Sequence, residues 1–296
     1  MMTIRNARFN TFTRIGARCA LVATGALAAV ACTVGQGTVA EPEGTSSQSS
    51  ALTWNQDFFD DFNGSSLDGN NWQDQILWVN NELQCYDNGY NENGQHKTVD
   101  VSNSTLNLRV INTGVVSNCN NWDKYGNQHP PTQYRGGRVA TKNRKEFNQG
   151  RWTARLKLYS WTYGGGYGQA SGLAGMFPAW WVLGARNNEA PVQEGDENVC
   201  WPMPGSSEID IMEHFGNSGA NGFGARPIQY MGGGCNSGNW QNYNHALGSD
   251  LSNFHEYQLE VGNDVIFRID NNQVASNGGV GGNYNEPMFA ILNYAI

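Results

Sequence analysis

Apolar and polar residues alternate with a period of two along much of the chain from residue 58 onward. Residues 105–110 and 152–158 each place alternate apolar side chains on one face, which is typical of half-buried β-strands. Residues 177–183 form a nearly continuous apolar run, as expected for a central strand, and residues 265–274 predict a hairpin with a tight polar turn. Since no long segment has helical periodicity, the pattern predicts an all-β sandwich.

One predicted strand carries three acidic residues. In the segment SSEIDIMEH at residues 206–214, Glu208 and Asp210 point to one face and the isoleucines after each of them to the other. Glu213 lies five positions after Glu208, an odd offset that would place it on the opposite face. A β-bulge near Met212, which absorbs one residue, would return Glu213 to the acidic face.

This geometry has a chemical consequence for the two glutamates. With the bulge, about four strand rises of about 3.3 Å, or roughly 13 Å, separate their Cα atoms. Side chains that lean together would bring the carboxyl groups to about 5–5.5 Å, the separation at which retaining glycosidases use one carboxylate as nucleophile and the other as proton shuttle. Asp210 between them would hydrogen-bond one glutamate and raise a neighbouring pKa. The alternative interpretation is a solvated acidic strand face.

Residues 208–213 (EIDIME) also resemble the catalytic signature of glycoside hydrolase family 16 in its β-bulge form. Trp201-Pro202 before this segment and His214 after it resemble the laminarinase-like (β-1,3-glucanase) branch. Further segments resemble the family's other landmarks, in the family's order: residues 80–84 (NNELQ), 137–142 (GRVATK), 150–155 (GRWTAR), 177–184 (FPAWWVLG), 254–257 (FHEY) and 291–295 (ILNYA). The resemblance covers the chain from about Phe58 to its end.

The resemblance implies a concanavalin-like jelly-roll β-sandwich of two antiparallel sheets, with a substrate cleft on the concave sheet. It also implies that Glu208 is the nucleophile, Glu213 the general acid/base, and Asp210 the residue that tunes them. We expect four long segments, predicted as loops, to wall the cleft: residues 111–134, 160–173, 185–207 and 216–240.

The same resemblance provides substrate-binding candidates. Trp181 matches an aromatic residue of the family's cleft floor and Trp201 one of its cleft wall, and an aromatic face suits the apolar face of a pyranose ring. Because Trp180 and Trp181 are adjacent on a strand, one must face the cleft side and the other the opposite sheet. Weaker candidates, for which structural hydrogen bonding is the alternative, are Trp78, Asn81, Glu82 and Arg138. We assign His214 no catalytic role, because it can face the core.

Three features depart from the family's pattern. Phe177 stands where the family often has Trp, and Gln229-Tyr230 where many laminarinases have a His near the acid/base. These two departures leave the subsite chemistry and the pH optimum open. The chain also ends at Ile296, whereas family members continue to a further strand that closes the sheet. We therefore expect residues 53–296 to be a glycoside hydrolase sandwich that is truncated at its C-terminus.

The first 31 residues have the pattern of a signal peptide that is not part of the fold. An apolar run at residues 19–31, which ends in Ala29-Val30-Ala31 as in a cleavage site, follows a basic region with Arg5, Arg8, Arg14 and Arg18. Residues 27–32 resemble a bacterial lipoprotein box, so Cys32 is a candidate lipid anchor, with ordinary secretion as the alternative. Residues 32–52 predict a flexible tether. We thus expect an exported protein, either a surface or periplasmic lipoprotein or a secreted enzyme.

Charge narrows the classes of partner. The chain has 18 Lys and Arg against 26 Asp and Glu, and loss of the four leader arginines changes the net charge from −8 to about −12. Without a basic patch the sequence disfavours nucleic acid as a partner. A neutral polysaccharide fits this charge better than a highly sulfated one.

Four cysteines would remain in the exported chain: Cys85, Cys119, Cys200 and Cys235. An even number in an exported protein predicts two disulfides, with three connectivities open. We favour Cys85–Cys119 and Cys200–Cys235, because each would cross-link a long loop. A zinc site is disfavoured because the sequence has no C-x-x-C pair and its five histidines are scattered. No cofactor is expected; relatives carry a structural Ca²⁺, but we find no ligand motif for one.

The sequence therefore predicts a monomeric, endo-acting, retaining hydrolase of internal β-1,3 or mixed β-1,3/1,4 glucan linkages. Alternatives that keep the same machinery are hydrolysis of a galactan, such as agarose, porphyran or carrageenan, and transglycosylation. A non-catalytic glycan-binding module is a different class, which loss of either glutamate would indicate, and both are present. Polysaccharide is the expected partner, with membrane contact only through Cys32.

Overall fold

The computed structural model describes residues 1–14, 18–24, 27–33, 52–92, 94, 96–162, 166–168, 175–192, 195–215, 222–247 and 251–296. A 3₁₀ turn spans Gly281–Tyr284, and the other regular elements of these residues are strands. In chain order they are β1 Met2–Arg14, β2 Arg18–Thr24, β3 Leu27–Thr33, β4 Leu52–Asp60, β5 Gln73–Asp74, β6 Cys85–Tyr86, β7 Asn91–Glu92, β8 His96–Lys97, β9 Val99–Ser102, β10 Thr105–Leu108, β11 Val110–Ser117, β12 Thr132–Gly136, β13 Arg138–Ala140, β14 Glu146–Phe147, β15 Gly150–Leu158, β16 Ser160–Thr162, β17 Gly166–Gly168, β18 Phe177–Gly184, β19 Glu208–Glu213, β20 Gly222–Tyr230, β21 Gly238–Trp240, β22 Tyr243–Ala246, β23 His255–Val261, β24 Val265–Ile269, β25 Asn272–Asn277 and β26 Met288–Ala295.

Two large antiparallel sheets form a sandwich. The first is eight-stranded, in the order β25-β24-β23-β15-β1-β10-β9, with β4 paired to β1. The second is nine-stranded, in the order β21-β20-β19-β18-β26-β13-β5, with β14 paired to β26 and β22 to β20. The predicted all-β sandwich is confirmed, and the strands expected from the alternating pattern correspond to β10, β15, β18 and the β24–β25 hairpin.

The hydrophobic core lies between the inner faces of the two sheets. Trp152 and Leu156 enter it from β15 of the first sheet, and Trp180 and Ile209 enter it from β18 and β19 of the second. Each of these side chains is at most 2 % exposed. Because strand side chains alternate, Trp181 of β18 and Glu208 and Asp210 of β19 point to the outer face of the second sheet.

In the structure, residues 2–14 of the predicted signal peptide belong to the first sheet, whereas the sequence pattern placed residues 1–31 outside the fold. Strand β1 lies between β10 and β15 and also pairs with β4, which makes it an internal strand of the first sheet. Met2, Ile4 and Phe9 are at most 1 % exposed and belong to the core. On the outer face of the sheet, the Arg8 guanidinium pairs with the Glu256 carboxylate at 2.9 Å.

The same sequence pattern fits both structures, because a signal peptide and an amphipathic strand each combine basic and apolar residues. The basic residues of the segment suit an outer face with acidic neighbours, and its apolar residues suit the core. A register shift between Ile4 and Asn6 keeps the apolar side chains inward on both sides of the shift. Export and cleavage of the segment stay predictions.

Several segments predicted as loops contain strands. Strands β11 and β12 pair within residues 110–136 and form a three-stranded sheet with β6, and β16 pairs with β17. Strand β20 occupies residues 222–230 and pairs with β19. The sequence did not indicate β20 because Gly222, Gly224 and Pro227 are typical of turns, whereas pairing with β19 and with β21 and β22 stabilises a strand here.

The predicted tether, residues 32–52, falls mainly on residues 34–51, which lie outside the described part of the chain. Before it, the backbones of β2 and β3 pair as a hairpin. Among the described residues, no helix is long and apolar enough to cross a bilayer.

Candidate active site

The acidic strand β19 lies inside the second sheet, between β18 and β20, and carries the predicted bulge. Its Asp210 pairs with Trp181 of β18 and its Met212 with Trp180, so that Ile211 has no opposite residue. The register with β20 shifts over the same stretch. As a result Ile211 and Met212 are both buried in the core, although they are adjacent, and Glu213 returns to the face that carries Asp210.

Glu208, Asp210 and Glu213 line one cleft, with a volume of about 860 Å³, on the outer face of the second sheet. Asp210 and Glu213 are buried, and Glu208 is half-buried. Glu208 and Asp210 are joined by a side-chain hydrogen bond. The cleft therefore places three carboxyl groups along one strand; the predicted separation of the two glutamate carboxyls stays a prediction.

Burial determines the protonation of the carboxyl groups on β19. It raises the pKa of Glu208 to about 7, while the hydrogen bond with Asp210 acts in the opposite direction. Burial also raises the pKa of Asp210 well above its ordinary value, and the neighbouring charges of Glu208 and Glu213 raise it further. Asp210 is consequently the carboxyl that keeps its proton, which it can donate to the Glu208 carboxylate.

Glu213 is buried beside a cation that the sequence analysis did not identify. Burial raises the pKa of Glu213 to about 7, and the Arg226 guanidinium acts to lower it. Arg226 Nη2 lies 2.8 Å from Glu213 Oε2, and its Nε lies 3.5 Å from Asp210 Oδ2. The guanidinium also stacks over the ring of Phe215, 5.3 Å from its centroid. The sequence pattern did not indicate Arg226 as a site residue, because it lies on β20, in a segment predicted as a loop.

Trp181 forms part of the cleft floor, and Trp180 on the same strand faces the core. The Trp181 indole Nε1 donates a hydrogen bond to Asn293 Oδ1 at 2.7 Å, which fixes the orientation of the ring. The Arg138 guanidinium lies over the same ring, 5.1 Å from its centroid. The polar groups around it thus hold Trp181 in one position.

Arg138 is buried at the base of the cleft and is held from several sides. Its Nη2 contacts Glu189 Oε2 at 2.8 Å, and its Nε donates to Gln75 Oε1 at 2.7 Å. Glu82 lies nearby, where burial raises its pKa to about 7 despite the lowering effect of Arg138. The Gln84 amide donates to Glu82 Oε2 at 2.9 Å. Arg138 and Glu82 line the cleft, and both also have structural partners.

The cleft walls carry the remaining candidates. Trp78 and Asn81 line one wall, where the Trp78 indole donates to the Glu82 carbonyl at 3.2 Å. Trp201 lines the other wall, next to a cysteine of the second disulfide. The predicted pairings are confirmed, and the two bonds join Cys85 to Cys119 and Cys200 to Cys235.

The residues that depart from the family's pattern lie in different environments. Phe177 lines the cleft and stacks on Phe215 with ring centroids 5.1 Å apart. Gln229 lies outside the cleft lining and accepts a hydrogen bond from Asn283 at 3.0 Å. His214 is buried away from the cleft, where its Nδ1 donates to the Gly222 carbonyl at 2.5 Å and burial lowers its pKa.

The donor chemistry gives no indication of a metal centre in this site. Among the residues described, no group of three or more His, Cys, Asp or Glu side chains is arranged to hold a metal ion. A structural Ca²⁺ stays an expectation.

Comparisons with known proteins found relatives of similar sequence and fold. No protein-family model matches the chain. A curated relative, the glucan endo-1,3-beta-glucosidase A1 of Niallia circulans, is 25% identical over 261 residues, which cover 80% of this chain and 33% of the relative. The chain thus spans about a third of the length of that relative.

Solved structures share the fold. The catalytic domain of LamA from Zobellia galactanivorans superposes with a TM-score of 0.61 and 26% identity, covering 80% of this chain and 85% of that one. A LamA variant from the same organism, solved with laminaritriose and laminaritetraose, has the same TM-score and 25% identity, and covers 80% of this chain and 86% of its own. A mixed-linkage glucan enzyme of Bacteroides ovatus, with a TM-score of 0.54 and 21% identity over 80% of this chain and 85% of that chain, supports the jelly-roll fold alone.

Proposed function

Since the chain is a laminarinase-like member of glycoside hydrolase family 16, we propose that it hydrolyses internal β-1,3 linkages of glucans, or of mixed β-1,3/1,4 glucans, with retention of configuration. The observation that carries this proposal is the bulged strand β19, which directs Glu208, Asp210 and Glu213 into one cleft. The similar protein of Niallia circulans is a glucan endo-1,3-beta-glucosidase, and the similar LamA variant was solved with laminaritriose and laminaritetraose, which supports the same substrate class.

In the proposed reaction, the Glu208 carboxylate attacks the anomeric carbon while Glu213 donates its proton to the leaving glycosidic oxygen. The C–O bond to the leaving sugar breaks, and a covalent glycosyl-enzyme forms. In the second step Glu213, now a carboxylate, removes a proton from a water molecule. The oxygen of that water attacks the anomeric carbon and displaces the Glu208 carboxylate. A pKa of about 7 suits this dual use of Glu213, because a general acid/base works best with a pKa near the working pH.

Asp210 and the aromatic residues have supporting parts in the proposal. A protonated Asp210 donates a hydrogen bond to Glu208, which favours the nucleophile's charged form. Trp181 offers a fixed aromatic floor and Trp201 a wall for sugar rings. Trp78, Asn81, Glu82 and Arg138 complete the cleft lining as further contacts for the glucan.

The test measures new reducing ends on laminarin, lichenan, agarose and carrageenan, followed by NMR of the first anomer released. We expect laminarin to be cleaved internally, with the β-anomer as first product, and Glu208→Gln to abolish turnover while it keeps glycan binding. Glu286→Gln, a carboxylate outside the cleft lining, is the matched control and keeps full activity. Cleavage of agarose or carrageenan alone would assign a galactan hydrolase, transfer products a transglycosylase, and binding without turnover a binding module.

We propose further that the protein is exported, acts as a monomer and is attached through Cys32. Two disulfides within the fold support an oxidising compartment. Radioactive palmitate incorporated by the full chain and lost in Cys32→Ser would support the anchor. A secreted, unlabelled product would refute it, and size-exclusion chromatography tests the oligomeric state.

A further inference from the structure

Two exposed aromatic residues at one end of the cleft have no part in the mechanism above. Trp122 is 50% exposed and Tyr125 is 72% exposed, and both line the cleft. They belong to the segment at residues 119–128, here called the aromatic loop. Large exposed aromatic groups on a surface often mark a binding site.

The base of the aromatic loop is fixed to the sandwich. Cys119 is bonded to Cys85 at the start of β6. The side chain of Asn121 accepts a hydrogen bond from Tyr86 N at 2.6 Å and donates one to Tyr86 O at 2.9 Å. This two-way contact has the hydrogen-bond pattern of a strand pairing and attaches the loop to β6.

The tip of the aromatic loop is also held in one conformation. Asp123 accepts hydrogen bonds from Tyr125 N at 2.9 Å, from Asn127 N at 2.7 Å and from Asn127 Nδ2 at 2.8 Å. Trp122 and Gln128 form an antiparallel bridge across the turn. The two rings are therefore presented by an ordered turn, and little conformational entropy would be lost when a ligand binds.

The loop continues the cleft away from the catalytic strand. Trp78 N donates to Trp122 O at 3.0 Å, which joins the loop to the wall that carries Trp78. This wall lies toward β13, which is three strands away from β19 in the second sheet, or about 14 Å at the usual strand spacing. A sugar chain that is bound at the carboxylates and runs across the sheet would therefore reach the aromatic loop. The rings that contact the loop would lie several positions away from the cleaved bond.

We propose that Trp122 and Tyr125 form an additional sugar-binding platform, which takes pyranose rings of a long glucan beyond those held next to the catalytic carboxylates. The inference rests on the proposed function, because it assigns the ligand class from the same cleft. The aromatic faces contact the C–H faces of the sugar rings, and the resulting gain in binding affinity grows with the length of the glucan. Short oligosaccharides that occupy only the central cleft do not use the platform.

The test uses Glu208→Gln as the parent, because it binds without cleavage, and measures affinity by calorimetry for long-chain laminarin and for laminaritriose. We expect Trp122→Ala/Tyr125→Ala to weaken laminarin binding by about three- to tenfold, on the scale of an aromatic contact, and to leave laminaritriose binding unchanged. Trp122→Phe/Tyr125→Phe keeps most of the affinity, because the rings remain. Phe59→Ala, which removes an aromatic residue that is 45% exposed on β4 of the other sheet, changes neither affinity.

The outcomes separate this inference from the proposed function. If the parent binds neither glucan, both are refuted. If the parent binds laminarin and the double alanine variant binds it equally well, only the platform is refuted. Equal weakening for laminaritriose would also refute the platform, because it would indicate a general loss of structure in the cleft.

Discussion

At the scale of single residues, Glu213 is held between two opposing influences. Burial favours its neutral form, and the guanidinium of Arg226 at 2.8 Å favours its charged form. Charged groups that face it among the described residues are Glu208 and Asp210 on its own strand and Arg226 on β20. In the proposed mechanism Arg226 is thus a positioning residue, which aligns Glu213 and limits the rise of its pKa.

Replacing Arg226 by Gln should shift the alkaline limb of the pH profile of kcat/KM to higher pH. That limb reports the general acid in the free enzyme, and without the cation burial alone acts on the pKa of Glu213. We expect a shift of about one pH unit, with Arg226→Lys close to the native profile. A lower kcat with an unmoved limb would contradict this role and leave Arg226 a purely structural contact.

The buried carboxyls should also make the protein less stable as the pH rises toward neutrality. The pKa of Glu208 is about 7 in the folded chain and 4.5 ordinarily. The protonated side chain therefore stabilises the fold fully below pH 4.5, and this contribution to stability is lost as the pH rises through 7. Glu208→Gln should therefore raise stability at pH 8 by roughly 1–3 kcal/mol and leave it unchanged at pH 4. Thermal unfolding at both pH values checks this, with Glu286→Gln as the control. An equal gain at both pH values would contradict it.

At the scale of elements, strand β19 was predictable from the sequence and its neighbour β20 was not. The alternation of acidic and apolar residues indicated β19, and the odd offset of Glu213 indicated its bulge, because the period of a strand is strict. Strand β20 contains Gly224 and Pro227, which local propensity assigns to turns, and only pairing on both sides makes it a strand. Arg226 could not be predicted for the same reason, since its contact with Glu213 depends on that pairing.

Strand β1 allows two incompatible uses of the same residues, because a cleaved leader cannot also fill the first sheet. If β1 is part of the working fold, Ile4→Ala should destabilise the protein by about 2–5 kcal/mol, since Ile4 is fully buried between the sheets. Arg5→Ala, an adjacent and exposed position, should cost less than about 1 kcal/mol.

Denaturant unfolding of protein made without export, so that the N-terminus is retained, measures both changes. N-terminal sequencing of the exported protein then shows whether the strand is kept. Equal stability of the two variants, or a cooperative fold in a chain that lacks residues 1–31, would show that the sandwich does not depend on β1.

At the scale of the whole molecule, the sandwich and the cleft rest on different interactions. The core between the two sheets holds β19 from behind, and a second apolar cluster of Ala140, Leu183, Phe289 and Ile291 packs against the floor residue Trp181. The cleft walls are loops with little core of their own, and a disulfide cross-links each of them. Cys85–Cys119 lies on the side of Trp78, and Cys200–Cys235 lies on the side of Trp201.

This division predicts that each disulfide supports one side of the cleft without specifying the fold. Each bond closes a loop, with sequence separations of 34 and 35, so the chain-entropy model gives a loss of about 4 kcal/mol for removal of either. Cys85→Ser/Cys119→Ser and Cys200→Ser/Cys235→Ser should therefore lower the melting temperature by similar amounts and retain the β-rich circular dichroism spectrum.

Their effects on cleavage should differ, because the two bonds lie on opposite sides of Glu208 and Glu213 along the sheet. End-labelled laminari-oligosaccharides measure this, since loss of sugar contacts on one side shifts the preferred bond toward the other end of the chain. We expect the two double variants to shift the cleavage pattern in opposite directions. The same shift in both would mean that the disulfides act on the fold as a whole, and an unchanged pattern would mean that the walls keep their shape without them.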